Sequence, residues 1–198
     1  MEVVSTEAIS TVTVELRAGG SSSNTFVILD GGDRLVASAG DESKSMRAVS
    51  EGVYEAEFQT IAGGTVFKIS FERDDDDDAP GNEGSLPASF SLIDIPTDSP
   101  SRSLDDVTLR WTPAVANSDM KLSINDGCIS PINVDVPGDP GSYTVMAGEL
   151  VSTEENPKAC DLQVTVTRQA EGTRDIAFDR ESRFVLKQRR ESVFTSAP

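Results

Sequence analysis

The chain has 198 residues, with 34 acidic and 17 basic side chains, and it contains no histidine. The absence of histidine excludes a Ser-His-Asp triad, a Cys-His pair and a His-ligated zinc site. A net charge of −17 argues against nucleic acid as a partner, because phosphate binding requires clustered lysine and arginine. No apolar run approaches the roughly 18 residues of a transmembrane helix, so no transmembrane segment is predicted.

Short segments in which apolar and polar residues alternate recur along the chain, at 11–17, 66–73, 107–111 and 162–168. Because successive side chains of a strand point to opposite faces, this period of two predicts half-buried antiparallel strands. Turn-forming residues separate the segments at intervals of about ten residues, which is typical of a sandwich or a barrel. The sequence therefore predicts an all-β fold.

A short polar segment with two prolines, 96–101, predicts a domain boundary near the middle of the chain. A cut there gives domains at 1–95 and 96–198, each close to the size of one sandwich of about 100 residues. A Gly-x-Tyr element recurs at 52–54 and 141–143 and in each half opens a predicted strand. We therefore expect two tandem antiparallel β-sandwich domains, with a single larger β domain as the alternative.

Five consecutive aspartates form the strongest local anomaly of the sequence. Carboxylate oxygens are the ligands that Ca²⁺ prefers, so the candidate metal ligands are Asp74, Asp75, Asp76, Asp77 and Asp78. Adjacent side chains of an extended loop point in opposite directions, however, and the spacing lacks the Asp-x-Asp-x-Asp-Gly pattern. A solvated hairpin tip that discourages edge-to-edge pairing is the favoured interpretation, and weak Ca²⁺ binding is the alternative.

Further aspartates near the predicted boundary support two weaker hypotheses. The residues for an inter-domain Ca²⁺ clamp are Asp94, Asp98, Asp105 and Asp106. Glycosidases use two carboxylates and need no histidine, and the candidates for such a pair are Asp98, Asp105, Asp106, Asp119 and Asp126. Glycosidase clefts are usually lined with Trp and Tyr, however, and this chain has one Trp and two Tyr. We therefore interpret these side chains as solvated turn carboxylates and predict no catalytic residue and no enzymatic activity.

The two cysteines, Cys128 and Cys160, are 32 positions apart and lie near the ends of two predicted strands. We predict a structural disulfide between them, which favours an oxidising compartment. Two unpaired thiols in a cytosolic protein are one alternative. A redox-active pair is the other, although such pairs favour Cys-x-x-Cys spacing and a helix N-terminus.

Positive charge is concentrated in the C-terminal segment. Because lysine and arginine discourage sheet pairing, outward side chains on edge strands are the favoured interpretation. Contact with an acidic neighbour or with anionic lipopolysaccharide is the alternative. The residues concerned are Arg168, Arg174, Arg180, Arg183, Lys187, Arg189 and Arg190.

The segment 139–145 resembles the Asp-x-Gly-x-Tyr element of immunoglobulin-like and fibronectin-III-like sandwiches. This resemblance implies a tyrosine corner, in which the Tyr143 hydroxyl bonds to upstream backbone, and a core tryptophan at Trp111. The second cysteine of an antibody domain would fall at Val145, so the resemblance does not extend to antibody-type domains.

The C-terminal half also resembles uncharacterised secreted lipoproteins of Gram-negative bacteria. The matching features are Trp-x-Pro at 111–113, Cys128 after Asn-Asp-Gly, the strand at 141–143, Cys160 before an alternating strand, and Gln-Arg-Arg at 188–190. The resemblance implies an extracellular or periplasmic protein that is tethered to the outer membrane by a lipid anchor outside this sequence.

Together these observations predict a non-catalytic cell-envelope protein that is structural or binds a cell-surface protein or polysaccharide. A carbohydrate-binding module is one alternative, and it requires an exposed aromatic platform from rings such as Tyr54, Phe58, Tyr143 or Phe178. A Ca²⁺-dependent adhesion module is the other alternative. No cofactor besides Ca²⁺ is expected.

Overall fold

The computed structural model describes residues 1–19 and 23–198, and within these ranges it has fifteen strands and no helix. The all-β prediction is therefore confirmed. The first strand runs parallel to the last strand and antiparallel to the second. The strands are β1 (Glu2–Ser5), β2 (Ser10–Glu15), β3 (Arg34–Ala39), β4 (Glu42–Ser45), β5 (Arg47–Ser50), β6 (Val53–Phe58), β7 (Val66–Glu72), β8 (Ala79–Ser85), β9 (Ser91–Ile93), β10 (Val107–Thr112), β11 (Asp119–Asn125), β12 (Ile132–Val136), β13 (Ser142–Val145), β14 (Cys160–Glu171) and β15 (Val185–Ser196).

The strands are distributed over two compact units. Unit 1 comprises Met1–Ala88 and Gln169–Gln188, and unit 2 comprises Ser89–Arg168 and Arg189–Pro198. This division differs from a cut after residue 95, because β14 and β15 each contribute residues to both units.

Unit 1 is built from two sheets that share one apolar core. One sheet has the strand order β15-β1-β2-β6-β5 and the other has the order β4-β3-β7-β8. Val12 and Val14 of β2 point into the core. Thr11 and Thr13 lie on the other face of the strand and are partly exposed, as the period of two predicts. Phe58 meets Phe67 of the other sheet edge to face, with ring centroids 5.7 Å apart. Fully burying each such ring stabilises the unit by about 1.5–3 kcal/mol.

Unit 2 has the same plan with its own core. Its sheets have the orders β12-β11-β14-β15 and β13-β10-β9. Leu109 and Trp111 of β10 pack in one cluster with Leu122 and Ile124 of β11. The predicted disulfide is present and joins Cys128 to Cys160.

The Gly-x-Tyr elements have equivalent backbone roles in the two units. Gly52 and Gly141 both have positive φ, +66° and +79°, a conformation that favours glycine. The carbonyl of Gly52 accepts a hydrogen bond from the Leu16 N–H at 2.9 Å, and that of Gly141 accepts one from the Trp111 N–H at 3.0 Å. A side chain at position 52 would also lie 2.8 Å from Phe26 Cβ. The faint sequence repeat therefore marks a shared turn geometry.

Candidate functional site

Unit 1 contains a cleft of about 700 Å³, a volume within the range of ligand-binding pockets. Its lining combines apolar side chains with charges of both signs. The apolar side chains include Leu16, Val27, Phe71 and Phe178, and the charged ones are Glu15, Arg17, Arg73, Asp179, Glu181 and Arg183. The sequence patterns did not indicate this cleft, because its residues come from distant parts of the chain.

Two stacked aromatic rings lie at this cleft. The rings of Phe71 and Phe178 have centroids 6.5 Å apart and planes inclined by 27°. The Arg73 guanidinium lies 5.4 Å from the centre of the Phe71 ring, within cation–π distance. Arg174 fixes the backbone at Phe178 by donating a hydrogen bond of 2.9 Å to its carbonyl. The cleft thus presents an apolar surface directly beside positive charge.

The acidic loop, formed by the five aspartates at 74–78, adjoins this cleft through Arg73. The backbone N–H of Arg73 donates to an Asp78 carboxylate oxygen at 2.9 Å, and its guanidinium donates to the Asp77 carbonyl. The backbone N–H of Asp74 donates to Asp33 at 3.0 Å. All five aspartate side chains of residues 74–78 are exposed.

No group of three or more acidic, cysteine or histidine side chains that could hold a metal exists within residues 1–19 and 23–198. Asp105 instead accepts from the Ser101 N–H at 2.7 Å, and Asp106 accepts from the Ala147 N–H at 2.8 Å. Ca²⁺ binding by residues 74–78 stays a prediction, which calorimetric titration with Ca²⁺ tests directly.

The expectation that the C-terminal basic residues all face outward from edge strands is wrong for two of them. Arg168 is fully buried and Arg190 is 5% exposed, because each occupies one of the alternate positions of its strand that face the core. Both guanidiniums lie against Phe90, 4.9 and 5.4 Å from the centre of its ring. Arg190 also donates to the Phe90 carbonyl at 2.8 Å.

A buried ion pair joins Arg168 to Asp139, and neither side chain is exposed to solvent. The Asp139 carboxylate also accepts hydrogen bonds from the indole Nε1 of Trp111 at 2.5 Å and from the Val115 N–H at 2.8 Å. Arg168 in turn donates to the Pro113 carbonyl at 2.7 Å. The carboxylate of the Asp-x-Gly-x-Tyr element therefore ties its loop to the core of unit 2.

The tyrosines differ in their surroundings. Tyr143 is partly buried against the core of unit 2, and its assignment as a tyrosine corner stays a prediction. Tyr54 of unit 1 is buried, and its hydroxyl accepts a hydrogen bond of 2.7 Å from the Leu29 N–H. Phe58 is fully buried and Phe178 is partly buried. The expectation that these rings form an exposed aromatic platform is therefore wrong for Tyr54 and Phe58, whereas Tyr143 and Phe178 are partly exposed.

The disulfide of unit 2 has a cationic neighbour that no sequence pattern indicated. Arg102 is 4% exposed, and its Nη1 lies 3.2 Å from Cys160 Sγ and 3.8 Å from Cys128 Sγ. Its Nη2 donates to the Lys158 carbonyl at 2.5 Å.

The part of the chain that the structure describes includes no helix long and apolar enough to cross a membrane. No protein-family model matches the chain, and no curated protein matches its sequence. The fold thus defines an all-β protein of packed antiparallel sheets with one disulfide.

Solved structures similar to this chain include the following two. One is a tetra-tandem repeat in the extending region of a large adhesion protein, with 12% identity, 98% of this chain and 48% of that chain covered, and a TM-score of 0.30. The other is a DUF3823 family protein from Bacteroides ovatus, with 13% identity, coverage of 94% and 97%, and a TM-score of 0.27. The chain therefore spans about half the length of the adhesion repeat structure.

Proposed function

We propose that this chain is a non-catalytic, exported cell-envelope protein of Gram-negative bacteria that binds a segment of another cell-surface protein in the cleft of unit 1. Its two units are immunoglobulin-like sandwich modules, and a lipid anchor outside this sequence tethers it to the outer membrane. The disulfide supports an oxidising compartment. The pair of sheets in each unit and the Asp-x-Gly-x-Tyr element support the immunoglobulin-like assignment.

The lining of the cleft is the observation that carries the binding role. The stacked pair of Phe71 and Phe178 offers an apolar contact surface, and carboxylates and guanidiniums lie beside it. Arg183 is 75% exposed and its nearest carboxylate, on Glu171, is 3.8 Å away, so this solvated contact is weak and can be exchanged for one with a partner. Such a combination suits a polypeptide with an apolar anchor and flanking charges.

A polysaccharide is the second candidate partner. Sugar sites usually present exposed aromatic faces, and here the two rings face each other and are only partly exposed. This geometry favours a protein over a polysaccharide.

The proposal is tested by binding the purified protein to outer-membrane fractions from Gram-negative cells. Phe178→Ala is expected to weaken binding at least tenfold, with Val193→Ala, an exposed apolar residue of unit 2, as the matched control. Circular dichroism confirms that each variant is folded. Equal binding by Phe178→Ala and the wild type would refute the role of the cleft.

Treatment of the same fractions with protease distinguishes the two kinds of partner. Loss of binding after proteolysis supports a protein partner, and undiminished binding supports a polysaccharide. The compartment is tested separately by fractionating the source cells, where recovery of the protein in the cytoplasm would contradict export.

A further inference from the structure

Arg102 holds a fixed positive charge against the disulfide of unit 2. Its backbone is anchored on both sides, since its N–H donates to the Ala197 carbonyl at 2.9 Å and its carbonyl accepts from the Gly148 N–H at 2.7 Å. The bond from Nη2 to the Lys158 carbonyl then fixes the guanidinium. Its orientation toward Cys160 is therefore set before any reaction at the sulfur atoms.

Among the described residues, no carboxylate forms an ion pair with this buried charge. The ion pairs formed within residues 1–19 and 23–198 do not include Arg102. A buried cation without a counter-charge is costly, and a disulfide sulfur carries no charge to offset it. Reduction of the disulfide would create thiols, and a thiolate on either sulfur would supply the missing negative charge.

We propose that the Cys128–Cys160 disulfide is a site of thiol–disulfide exchange, whose reduced form is stabilised by an ion pair between Arg102 and a cysteine thiolate. This goes beyond the proposed binding role, because it makes unit 2 responsive to a dithiol reductant. Cys160 is partly exposed whereas Cys128 is 7% exposed, so Cys160 is the accessible point of attack.

The exchange balances as a two-electron reaction. A thiolate of the external dithiol attacks Cys160 Sγ, a mixed disulfide forms, the bond between the two protein sulfurs breaks, and Cys128 leaves as a thiolate beside Arg102. The second thiol of the reductant then attacks its own sulfur in the mixed disulfide and releases Cys160. The protein disulfide is reduced to two cysteines, the dithiol is oxidised to a disulfide, and its two protons pass to the protein thiols or to solvent.

The reaction has a structural consequence within unit 2. The segment between the two cysteines carries β12 and β13, and each is the terminal strand of its sheet. Reduction removes the covalent closure of this segment of 32 positions, which contains both edge strands. Both strands are therefore expected to exchange amide hydrogens faster in the reduced protein.

The test is the redox equilibrium of the folded 198-residue chain with mixtures of reduced and oxidised dithiothreitol, a dithiol, with Arg102→Met as the variant. Methionine keeps much of the length of the side chain and removes its charge. The equilibrium constant for reduction is expected to fall at least tenfold in Arg102→Met, which is about 30 mV for a two-electron couple. Arg110→Met, an exposed arginine of the same unit, is the control and is expected to leave the constant unchanged.

Equal constants for the wild type and Arg102→Met would overturn the proposal, and so would a wild-type potential below about −300 mV, which is typical of inert structural disulfides. If Arg102→Met does not fold, a second measurement on the reduced wild type tests the proposal. The rate at which iodoacetamide alkylates its cysteines is measured as a function of pH. Half-maximal alkylation well below about pH 8.5, the value of an unperturbed cysteine, supports the ion pair, and a midpoint at that value refutes it.

Discussion

The substitution Asp139→Asn tests whether unit 2 depends on a buried carboxylate held as an ion. This carboxylate accepts from the Trp111 indole, the Val115 N–H and the Arg168 guanidinium. Asparagine preserves the size of the side chain and tolerates the positive φ of 47° at this position, so the change isolates the charge. Because Arg168 would stay fully buried without its counter-charge, we expect a loss of about 3–5 kcal/mol in the free energy of unfolding.

Trp111 reports on this change directly, since it is the one tryptophan of the chain and is 2% exposed. In urea unfolding followed by its fluorescence, the midpoint is expected to fall by about 2 M for a slope of about 2 kcal/mol per molar. The control is Asp135→Asn, because Asp135 is 84% exposed and lies 3.5 Å from Lys121, and its effect is expected within about 0.5 kcal/mol. A loss below about 1 kcal/mol in Asp139→Asn would refute the reasoning.

Two further predictions concern stability. Replacing Cys128 and Cys160 together by serine is expected to cost about 3–4 kcal/mol, since the closed loop spans 32 positions, and an unchanged urea midpoint would contradict this. The N–H groups of Ala177 and Gly81 hold the pKa of Asp175 below its ordinary value of 3.8. The contribution of the ionised Asp175 carboxylate to the free energy of unfolding is therefore fully present above pH 3.8. It is lost as pH falls through the lower pKa that this group has in the folded state. The stability difference between the wild type and Asp175→Asn should accordingly shrink below pH 3.8, and a difference independent of pH would exclude this role.

The alternation of apolar residues predicted which side chains are buried wherever a strand lies on a core. Val12, Val14 and Leu16 form one buried row, and Phe67 and Ile69 form another. This succeeds because the face of a strand on which a residue lies is a local property, fixed by the period of two. It requires no knowledge of which strands pair.

Pairing between distant strands could not be predicted in this way. Val3 of β1 lies opposite Leu186 of β15, and nothing in either segment specifies the other. The same limit explains the cleft of unit 1 and the contact of Arg102 with the disulfide, since both depend on residues far apart in sequence. The acidic loop was located correctly as an exposed segment, because its composition alone excludes burial.

One local signal for the buried arginines was nevertheless present. Leu162, Val164, Val166 and Arg168 occupy alternate positions and share the buried face of β14. The period therefore placed Arg168 in the apolar row, and the general preference of arginine for edge strands argued the opposite. The period of two predicted the burial of Arg168 correctly, because the strand pleat fixes the direction of each side chain. The preference of arginine for outward positions holds only for edge strands.

A double-mutant cycle shows whether Arg168 is tolerated in that row because of Asp139. Arg168→Met alone is expected to cost about 3–5 kcal/mol, since it leaves a buried carboxylate without its cation. Combined with Asp139→Asn, it should cost less than the sum of the two single changes, with a coupling of at least about 1 kcal/mol. The reason is that neither charge then remains, and the amide oxygen of the introduced asparagine can still accept from Trp111 or Val115. If the losses in the free energy of unfolding are additive, the two side chains contribute independently. The buried arginine would then be stabilised by its contacts with Phe90 and the Pro113 carbonyl and not by Asp139.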